Sequence, residues 1–194
     1  MKPLKRMPFS AIIPAAGNSG RMGSNKAQLV YGDGESFAGH LVKNYSLYGA
    51  QPVLLIMNEQ QGQPGFEGSF MRVINRHVEA GRSHSIFLGI QQVPEGNACF
   101  IQNIDNPFIE PGLLGQMIAL HESDGYVVPV CNGTGGHPVL LGRNVVSYIR
   151  GLNLLTDFRE VLNRFKRIEL PFQDERILYN INTPDDYAGF LKMD

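Results

Sequence analysis

The sequence predicts an α/β protein with a Rossmann-like, mostly parallel sheet that is covered by helices on both faces. Two observations predict this fold: short apolar runs with strand character recur along the chain, and helix-like stretches lie between several of them. The predicted strands, most of them bounded by Gly, Pro, Asn or Asp, are residues 9–13, 52–57, 71–74, 98–104, 126–130 and 177–181. Alternation of this kind is typical of parallel sheets, which are buried on both faces.

Helix-like spacing of apolar residues predicts the elements between these strands. The helices predicted in this way are residues 36–48, 83–92 and 111–122. The third begins with Pro111, and proline is favoured at the first position of a helix. A final helix is predicted after Thr183, because this residue, Pro184 and the acidic Asp186 follow the pattern of a capping box.

Composition and charge narrow the class of protein. With 43% hydrophobic and 18% charged residues, the 194-residue chain resembles one globular domain, which we predict to span residues 1–194. Residues 1–8 precede the first predicted strand and are a candidate for disorder. The formal net charge of -1 argues against nucleic acid or an acidic membrane as a partner.

The cysteines and the first apolar run argue against a disulfide, a zinc site, a signal peptide and a membrane helix. Cys99 and Cys131 lie in strand-like apolar runs, so we expect buried thiols, not a disulfide or a zinc site. The apolar run at residues 9–16 is interrupted by Pro14 and leads into glycines, and it is too short for a signal peptide or a membrane helix. We therefore expect a cytoplasmic protein without a membrane partner.

A glycine-rich loop, PAAGNSGRMG, follows the first predicted strand, at the sheet edge where ligands of such folds collect. Its glycines allow backbone N–H groups to approach phosphate oxygens, whose charge Arg21 and the following Lys26 neutralise. We name residues 14–23 the glycine loop. The residues predicted to bind a nucleotide here are Pro14, Ala15, Ala16, Gly17, Asn18, Ser19, Gly20, Arg21, Met22, Gly23 and Lys26.

Better-known loops do not match this segment. A P-loop requires Gly-Lys followed by Ser or Thr, and the dinucleotide fingerprint requires G-x-G-x-x-G, whereas these glycines are at positions 17, 20 and 23. Ser19 is not a nucleophile elbow, because Arg21 stands where that motif needs glycine. The structural alternative is a tight turn between strand and helix, but a turn does not require Arg and Lys in this register.

Residues 15–26 resemble the signature A-A-G-x-S-x-R-M-G-x-x-K of the MobA-like NTP transferase family. Residues 81–89, 104–108, 135–140 and 180–187 resemble later segments of the family in the expected order. The resemblance implies a Rossmann-like domain that binds a nucleoside triphosphate through the backbone, Arg and Lys of the loop. By position, the residues implied are Ala16, Gly17, Ser19, Arg21 and Lys26.

Asp105 is the carboxylate predicted to hold a metal, because it follows an apolar strand at the same sheet edge. Mg²⁺ prefers oxygen ligands and usually touches one or two carboxylates and the substrate phosphates. An Asx-turn before Pro107 is the alternative role. Asn182 matches a position where many relatives carry a second metal-binding Asp, and its amide oxygen is a weaker candidate ligand; a polar residue before the Thr183 cap is the other reading.

Two further segments are assigned by resemblance. Arg82 and Ser85 resemble the R-x-x-S segment that reads cytosine in methylerythritol-phosphate cytidylyltransferases; the alternative is that Ser83 or Ser85 caps the helix that follows. The acceptor is predicted to contact a segment that resembles G-H-P-V-L, through Gly136, His137 and Pro138. Residues 156–159, TDFR, depart from the G-D-x-G-A-R loop that many relatives carry near the acceptor.

These assignments predict a magnesium-dependent nucleotidyltransferase in which Arg21, Lys26 and Asp105 carry the chemistry. The PAAG sequence resembles the cytidylyltransferases, so CTP is the expected nucleotide, and molybdopterin or its molybdenum-bearing form is the acceptor that the resemblance implies. A sugar or polyol phosphate is the alternative acceptor, and a non-catalytic nucleotide-binding module is the alternative function. An NAD-dependent oxidoreductase ranks last, since the first acid after the second strand, Glu59, is too far along.

Overall fold

A computed structural model describes residues 7–17, 20, 22–32, 34–152 and 156–193 of the chain. The strands in this part are β1 (Phe9–Pro14), β2 (Val30–Tyr31), β3 (Glu35–Ser36), β4 (Val53–Met57), β5 (Met71–Ile74), β6 (Ala98–Ile101), β7 (Gly125–Cys131), β8 (Thr134–Gly135), β9 (Val139–Leu141) and β10 (Lys166–Pro171). The α-helices are α1 (Phe37–Tyr48), α2 (Gly81–Ile90), α3 (Pro111–Leu120), α4 (Arg143–Arg150), α5 (Phe158–Leu162) and α6 (Pro184–Phe190).

The main sheet has the strand order β10-β7-β9-β6-β1-β4-β5, and β8 pairs with β7. β1 is parallel to both of its neighbours, with Ile12 opposite Leu54 of β4 and Ile101 of β6. β9 alone among the strands on this path runs antiparallel to both neighbours, while β10 is parallel to β7. The predicted, mostly parallel sheet is confirmed. The short strands β2 and β3 form a separate hairpin.

Helices cover both faces of the sheet, as predicted. Successive strand residues point to opposite faces, so Ile13 of β1 joins the core beneath α1, α3 and α6. Ile12 joins the second core, which packs against α2, α4 and α5. Gly89 permits the close approach of α2, because a Cβ there would lie 2.8 Å from Cγ2 of Ile12. This packing sets where α2 begins relative to the carboxyl end of β1.

The strand predicted at residues 177–181 is wrong. Glu175–Leu178 form a 3-10 helix, and the next three residues are irregular. The physical reason is the buried amide of Asn106, whose Nδ2 donates to the carbonyls of Arg176, Ile177 and Tyr179 at 2.9–3.1 Å. A side chain thus satisfies the carbonyl groups that a strand would pair with a neighbour.

Other expectations concern the helices and the thiols. The predicted helices are confirmed in α1, α2 and α3, and the capping box of Thr183 and Asp186 at the start of α6 is present. Cys99 and Cys131 are free and buried, as expected. Within the described ranges, no helix has the length and apolarity to cross a membrane. Of the predicted disordered residues 1–8, residues 1–6 lie outside the described part of the chain.

Candidate active site

A pocket of about 330 Å³ lies at the carboxyl ends of β1, β5 and β6, where the topology of such sheets places ligands. The structure brings together at this pocket the loop after β1, the start of α2, the turn after β6 and the segment before α6. The predicted residues that line it are Pro14, Ala15, Ala16, Gly17, Gly20, Lys26, Arg82, Ser85, Asp105 and Asn182.

The remaining residues of the glycine loop do not line the pocket or cannot be placed. Met22 is buried in the core, and Gly23 turns the chain with a φ of 70°, a conformation that favours glycine. Asn18, Ser19 and Arg21 lie outside the described residues. Their predicted roles in nucleotide binding therefore stay predictions.

Two amide side chains hold the start of the glycine loop in place. Asn58 donates through Nδ2 to the carbonyl of Ala16 at 2.8 Å, and Gln61 donates through Nε2 to the carbonyl of Ala15 at 2.7 Å. Asn58 and Gln61 also form the capping box of a 3-10 helix after β4, which fixes both side chains. The carbonyl groups of Ala15 and Ala16 are thus held by two side chains that do not line the pocket. The sequence analysis did not single out either of them.

Open space lies beside the glycines at the front of the loop. A Cβ built on Gly17 or Gly20 would meet no atom of the described residues within 4 Å. Both residues line the pocket. Room of this kind beside backbone N–H groups suits a phosphate.

Lys26, Asp105 and Asn182 form a polar cluster on one wall of the pocket. The Lys26 ammonium donates to Oδ1 of Asn182 at 2.7 Å and lies 3.5 Å from Oδ2 of Asp105. The side chains of Lys26 and Asp105 are only 13% and 24% exposed, so water screens their charges incompletely. The backbone N–H of Ile181 donates to the Asp105 carbonyl at 2.7 Å, which ties the segment before α6 to the turn after β6.

The oxygen atoms of this cluster fit a hard divalent cation. Oδ1 of Asp105 is buried and has no hydrogen-bond partner among the described residues, an arrangement that is costly unless another group supplies positive charge. Asn182 directs its amide oxygen toward the cluster, since its Nδ2 donates to the carbonyl of Asn180 at 3.2 Å. No group of three or more His, Cys, Asp or Glu side chains in the described ranges is arranged for a metal. One carboxylate, an amide oxygen and substrate phosphates match the habit of Mg²⁺.

The opposite wall is formed by the start of α2. Gly81, Arg82 and Ser85 line the pocket there, and no described side chain caps this helix. The Ser85 hydroxyl accepts a hydrogen bond of 2.9 Å from Nδ2 of Asn75. Ser85 is a residue of α2 and not its N-cap, so the alternative role as a helix cap is wrong. Uncapped backbone N–H groups and the positive end of the helix dipole face the pocket side.

The predicted acceptor segment lies behind the pocket lining. Gly136 packs tightly on the 3-10 helix that follows β10, because a Cβ there would lie 2.5 Å from the carbonyl oxygen of Ile177. Gly136, His137 and Pro138 are not among the residues that line the pocket. Among the described residues, the side chain of His137 is hydrogen-bonded to the pocket lining through Asn103, whose Nδ2 lies 2.8 Å from the Nε2 of its ring.

His137 is electrostatically unlike a surface histidine. Burial, and then the nearby positive charge of Arg82, lower the pKa of His137 to about 4, against a smaller opposing effect of the Ile101 backbone. The ring is therefore neutral near pH 7. Its role as a direct acceptor contact stays a prediction.

Residues 156–159, which differ from the G-D-x-G-A-R loop of many relatives, lie beside α2. The backbone N–H of Phe158 donates to the Ser83 hydroxyl at 3.1 Å, and the Asp157 side chain caps α5. Ser83 therefore supports α5 and does not cap α2. The contact brings the first turn of α5 close to Arg82.

Sequence reasoning missed the amides that organise this edge of the sheet. Asn106 is fully buried, and Asn103 lines the pocket two residues before Asp105. A signal was present, since Asn103 and Asn106 interrupt the apolar stretch that surrounds Asp105, and a polar side chain within such a stretch needs a partner when it is buried. The identity of the partners was not readable, because they come from distant parts of the chain.

Comparisons with known proteins agree with this fold. The sequence profile described as MobA-like NTP transferase domain matches residues 11–168. Molybdenum cofactor cytidylyltransferase from Escherichia coli (strain K12) is 25% identical over 182 residues, which cover 92% of this chain and 93% of that protein.

Solved structures show the same fold. Rv0371c from Mycobacterium tuberculosis H37Rv superposes with a TM-score of 0.81 at 20% identity, over 97% of this chain and 100% of that one. Its complex with manganese gives a TM-score of 0.77 at 18% identity, over 96% and 98%. For 2-C-methyl-D-erythritol 4-phosphate cytidylyltransferase from Thermus thermophilus the TM-score is 0.70 at 18% identity, over 96% and 98%.

The profile match includes the glycine loop, the start of α2 and Asp105, which are three of the four segments that surround the pocket, and it ends before Asn182. It extends over most of the chain, and the fold of the solved structures agrees with it. The chain therefore belongs to the MobA-like NTP transferase domain family and is a nucleotidyltransferase of this type.

Proposed function

We propose that the chain transfers a cytidylyl group from CTP to a small phosphorylated acceptor, with release of pyrophosphate and with Mg²⁺ as cofactor. The observation that carries the proposal is the Lys26–Asp105–Asn182 cluster in the pocket that the glycine loop borders. An ammonium, a carboxylate and an amide oxygen beside open loop glycines suit a triphosphate with its counter-ion. An NAD-dependent dehydrogenase would not need this combination.

The reaction requires positioning more than a protein nucleophile. An oxygen of the acceptor phosphate attacks the α-phosphorus of the nucleotide, the bond between this phosphorus and the bridging oxygen breaks, and pyrophosphate leaves with the electron pair. In phosphoryl and nucleotidyl transfer of this kind, catalysis comes from orientation and from stabilisation of the charge on the phosphate oxygens. Lys26 and Arg21 supply positive charge, and the N–H groups of the glycine loop orient the leaving pyrophosphate.

Asp105 is the proposed principal ligand of the cation, and Asn182 the second one. Two observations support this assignment: Oδ1 of Asp105 has no hydrogen-bond partner among the described residues, and the amide oxygen of Asn182 faces the cluster. When bound, the cation neutralises charge on the phosphates of the nucleotide. A manganese complex of a structural relative supports the use of a divalent metal.

The preference for CTP is proposed from two parts of the pocket. Ala16 is 2% exposed and lines the pocket, and its methyl group takes up room that a purine would need. Ser85 is held by Asn75 with its hydroxyl on the pocket wall, where it can meet a base edge. The two relatives named as cytidylyltransferases support the same choice. A pocket built to pair with one base leaves polar groups unmet by another, so few contacts give large discrimination.

The acceptor is proposed to be molybdopterin or its molybdenum-bearing form. Support comes from the Escherichia coli relative, which aligns over almost all of both chains and carries the name molybdenum cofactor cytidylyltransferase. A sugar or polyol phosphate is the competing acceptor, because the Thermus thermophilus relative is named for 2-C-methyl-D-erythritol 4-phosphate. Both acceptors present a phosphate to the same pocket.

The test is a matrix of substrates with pyrophosphate release as the readout. CTP, GTP, ATP and UTP are each combined with molybdopterin, its molybdenum-bearing form, methylerythritol phosphate and a sugar 1-phosphate, with Mg²⁺ present. We expect turnover with CTP and a molybdopterin acceptor. Preferred use of GTP would contradict the nucleotide assignment, and turnover only with a polyol or sugar phosphate would contradict the acceptor. Tight nucleotide binding without turnover in any combination would identify a non-catalytic module.

A further inference from the structure

The side-chain amide of Asn103 joins two predicted substrate segments of the site. Asn103 follows β6 by two residues and lines the pocket. Its Oδ1 accepts a hydrogen bond of 2.7 Å from Nε of Arg82, and its Nδ2 lies 2.8 Å from Nε2 of His137. One amide therefore contacts both the nucleotide side, through Arg82, and the predicted acceptor side, through His137.

The donor and acceptor roles in one of these two hydrogen bonds determine the roles in the other. A guanidinium can only donate, so the oxygen of the Asn103 amide must face Arg82. The amide nitrogen then faces His137 and donates to Nε2, which places the proton of the neutral ring on Nδ1, a buried atom that has no hydrogen-bond partner among the described residues. The neutral ring agrees with the pKa of about 4 that burial and Arg82 impose on His137.

The same geometry orients the charge of Arg82. Its bond to Asn103 uses Nε, and the two terminal nitrogens of the guanidinium have no hydrogen bond to a described residue, so they are available to a ligand that enters the pocket. A long, flexible arginine side chain loses rotamer entropy when it is ordered. The hydrogen bond at Nε orders part of the Arg82 side chain before the ligand binds, so less entropy is lost on binding.

We propose that Asn103 is a positioning residue, which aims the guanidinium of Arg82 at the bound nucleotide and holds His137 as a neutral acceptor behind it. The inference rests on the proposed function, because the ligand of Arg82 is taken to be the nucleotide. Asn is the side chain that the two contacts require, since it offers one acceptor to Arg82 and one donor to His137. Asp in its place keeps the acceptor for Arg82 but offers no donor to His137.

Two variants separate these roles. Asn103→Ala removes both contacts, so we expect the KM for CTP to rise roughly tenfold, the loss typical of one hydrogen bond, with a smaller change in kcat. Asn103→Asp retains the anchor for Arg82, so the KM for CTP stays within about threefold of the original value. In that variant the carboxylate accepts from His137, so the ring carries a proton on Nε2.

The readouts are steady-state kinetics and the ¹⁵N spectrum of the His137 ring, assigned with a His137→Gln variant. The matched control is Asn97→Ala, which removes another bridging amide, one that bonds Ser10 and the Gln51 carbonyl at the opposite end of the sheet. This control should lose stability while the KM and the His137 spectrum stay the same. Circular dichroism verifies the fold of each variant.

An unchanged KM in folded Asn103→Ala overturns the proposal, and so does a neutral His137 with its proton on Nε2 in the unmodified protein. Should Asn103→Ala fail to fold, Asn103→Asp carries the test: a retained KM with the proton moved to Nε2 supports the proposal, and an unmoved proton overturns it. The ring spectrum needs no substrate. A protein that binds no CTP therefore refutes the proposed function, while the spectrum still decides the contact between Asn103 and His137.

Discussion

Replacing Asp105 with Asn separates the catalytic role of this carboxylate from its role in folding. Asn has nearly the same shape and keeps an oxygen for Lys26, but it carries no negative charge. In the folded chain one carboxylate oxygen lies 3.5 Å from the Lys26 ammonium, and the other is buried without a hydrogen-bond partner among the described residues. The substitution therefore removes the ion pair with Lys26, and it replaces the buried charged oxygen with a neutral amide nitrogen.

The two effects on stability are of similar size. At 3.5 Å the attraction between unit charges is about 5 kcal/mol with an effective dielectric constant of about 20, but desolvation cancels most of it. A partly exposed pair contributes on the order of 1 kcal/mol net. Exchanging the buried charged oxygen for a neutral amide nitrogen relieves the desolvation of the charge, but it leaves the N–H groups of that amide without a partner, so the net gain is on the order of 1 kcal/mol. We expect the free energy of unfolding of Asp105→Asn to differ by less than about 1 kcal/mol from that of the unmodified protein.

The effect on turnover is expected to be much larger. Loss of a group that stabilises transition-state charge costs about 3–4 kcal/mol, so kcat should fall roughly 10²- to 10³-fold. Pyrophosphate release at saturating CTP and acceptor measures turnover, and urea unfolding without nucleotide measures stability. Asp124→Asn is the control, because Asp124 is exposed and bonds only Asn144 among the described hydrogen bonds. Near-normal turnover of Asp105→Asn, or a loss of stability as large as the loss of activity, would refute the reasoning.

Three further predictions concern the nucleotide and His137. Lys26→Ala should lower kcat/KM for CTP roughly tenfold or more, because it removes a charge-assisted contact to phosphate; unchanged kinetics would place Lys26 outside the reaction. Ala16→Gly should raise the use of GTP relative to CTP in a direct competition, and an unchanged ratio would remove Ala16 from the explanation. The depressed pKa of His137, about 4 against 6.5, means that the unfolded chain binds more protons between these values, so stability is lost as the pH falls through this window. The loss attributable to His137 is on the order of 3 kcal/mol, and urea unfolding from pH 7 to pH 4 should show a shallower decline for His137→Phe.

The parallel half of the fold was readable from the sequence because its strands are buried on both faces. Residues 9–13 and 52–57 are continuous apolar runs, and the structure pairs them as β1 and β4. The strand β10, KRIELP, was not predicted, since four of its six residues are exposed and no apolar run marks it. The antiparallel β9 has only three residues. Apolar periodicity carries too little information for a short or half-exposed strand.

The sequence predicted those parts of the site that directly follow a strand in the chain. The loop after β1 and Asp105 after β6 each follow a strand directly, and the topology of a parallel sheet brings their ends to one edge. His137 illustrates the opposite case. It was assigned by resemblance to an acceptor contact, whereas the structure connects it to the pocket through Asn103, and no sequence spacing relates positions 103 and 137.

The charge of the Lys26–Asp105–Asn182 cluster explains why its metal chemistry is hard to read from the chain alone. With Asn at position 182, the cluster holds one ammonium and one carboxylate, so their formal charges cancel. A hard cation gains little from a neutral site with two protein oxygens, because Mg²⁺ dehydrates reluctantly and takes several oxygen ligands. On the proposed mechanism, the remaining ligands and negative charge come from the triphosphate, which also gives Lys26 a stronger partner than an amide oxygen. The cation and the nucleotide therefore each supply part of the other's binding site. The segments around Asp105 and Asn182 do not specify the metal without the substrate.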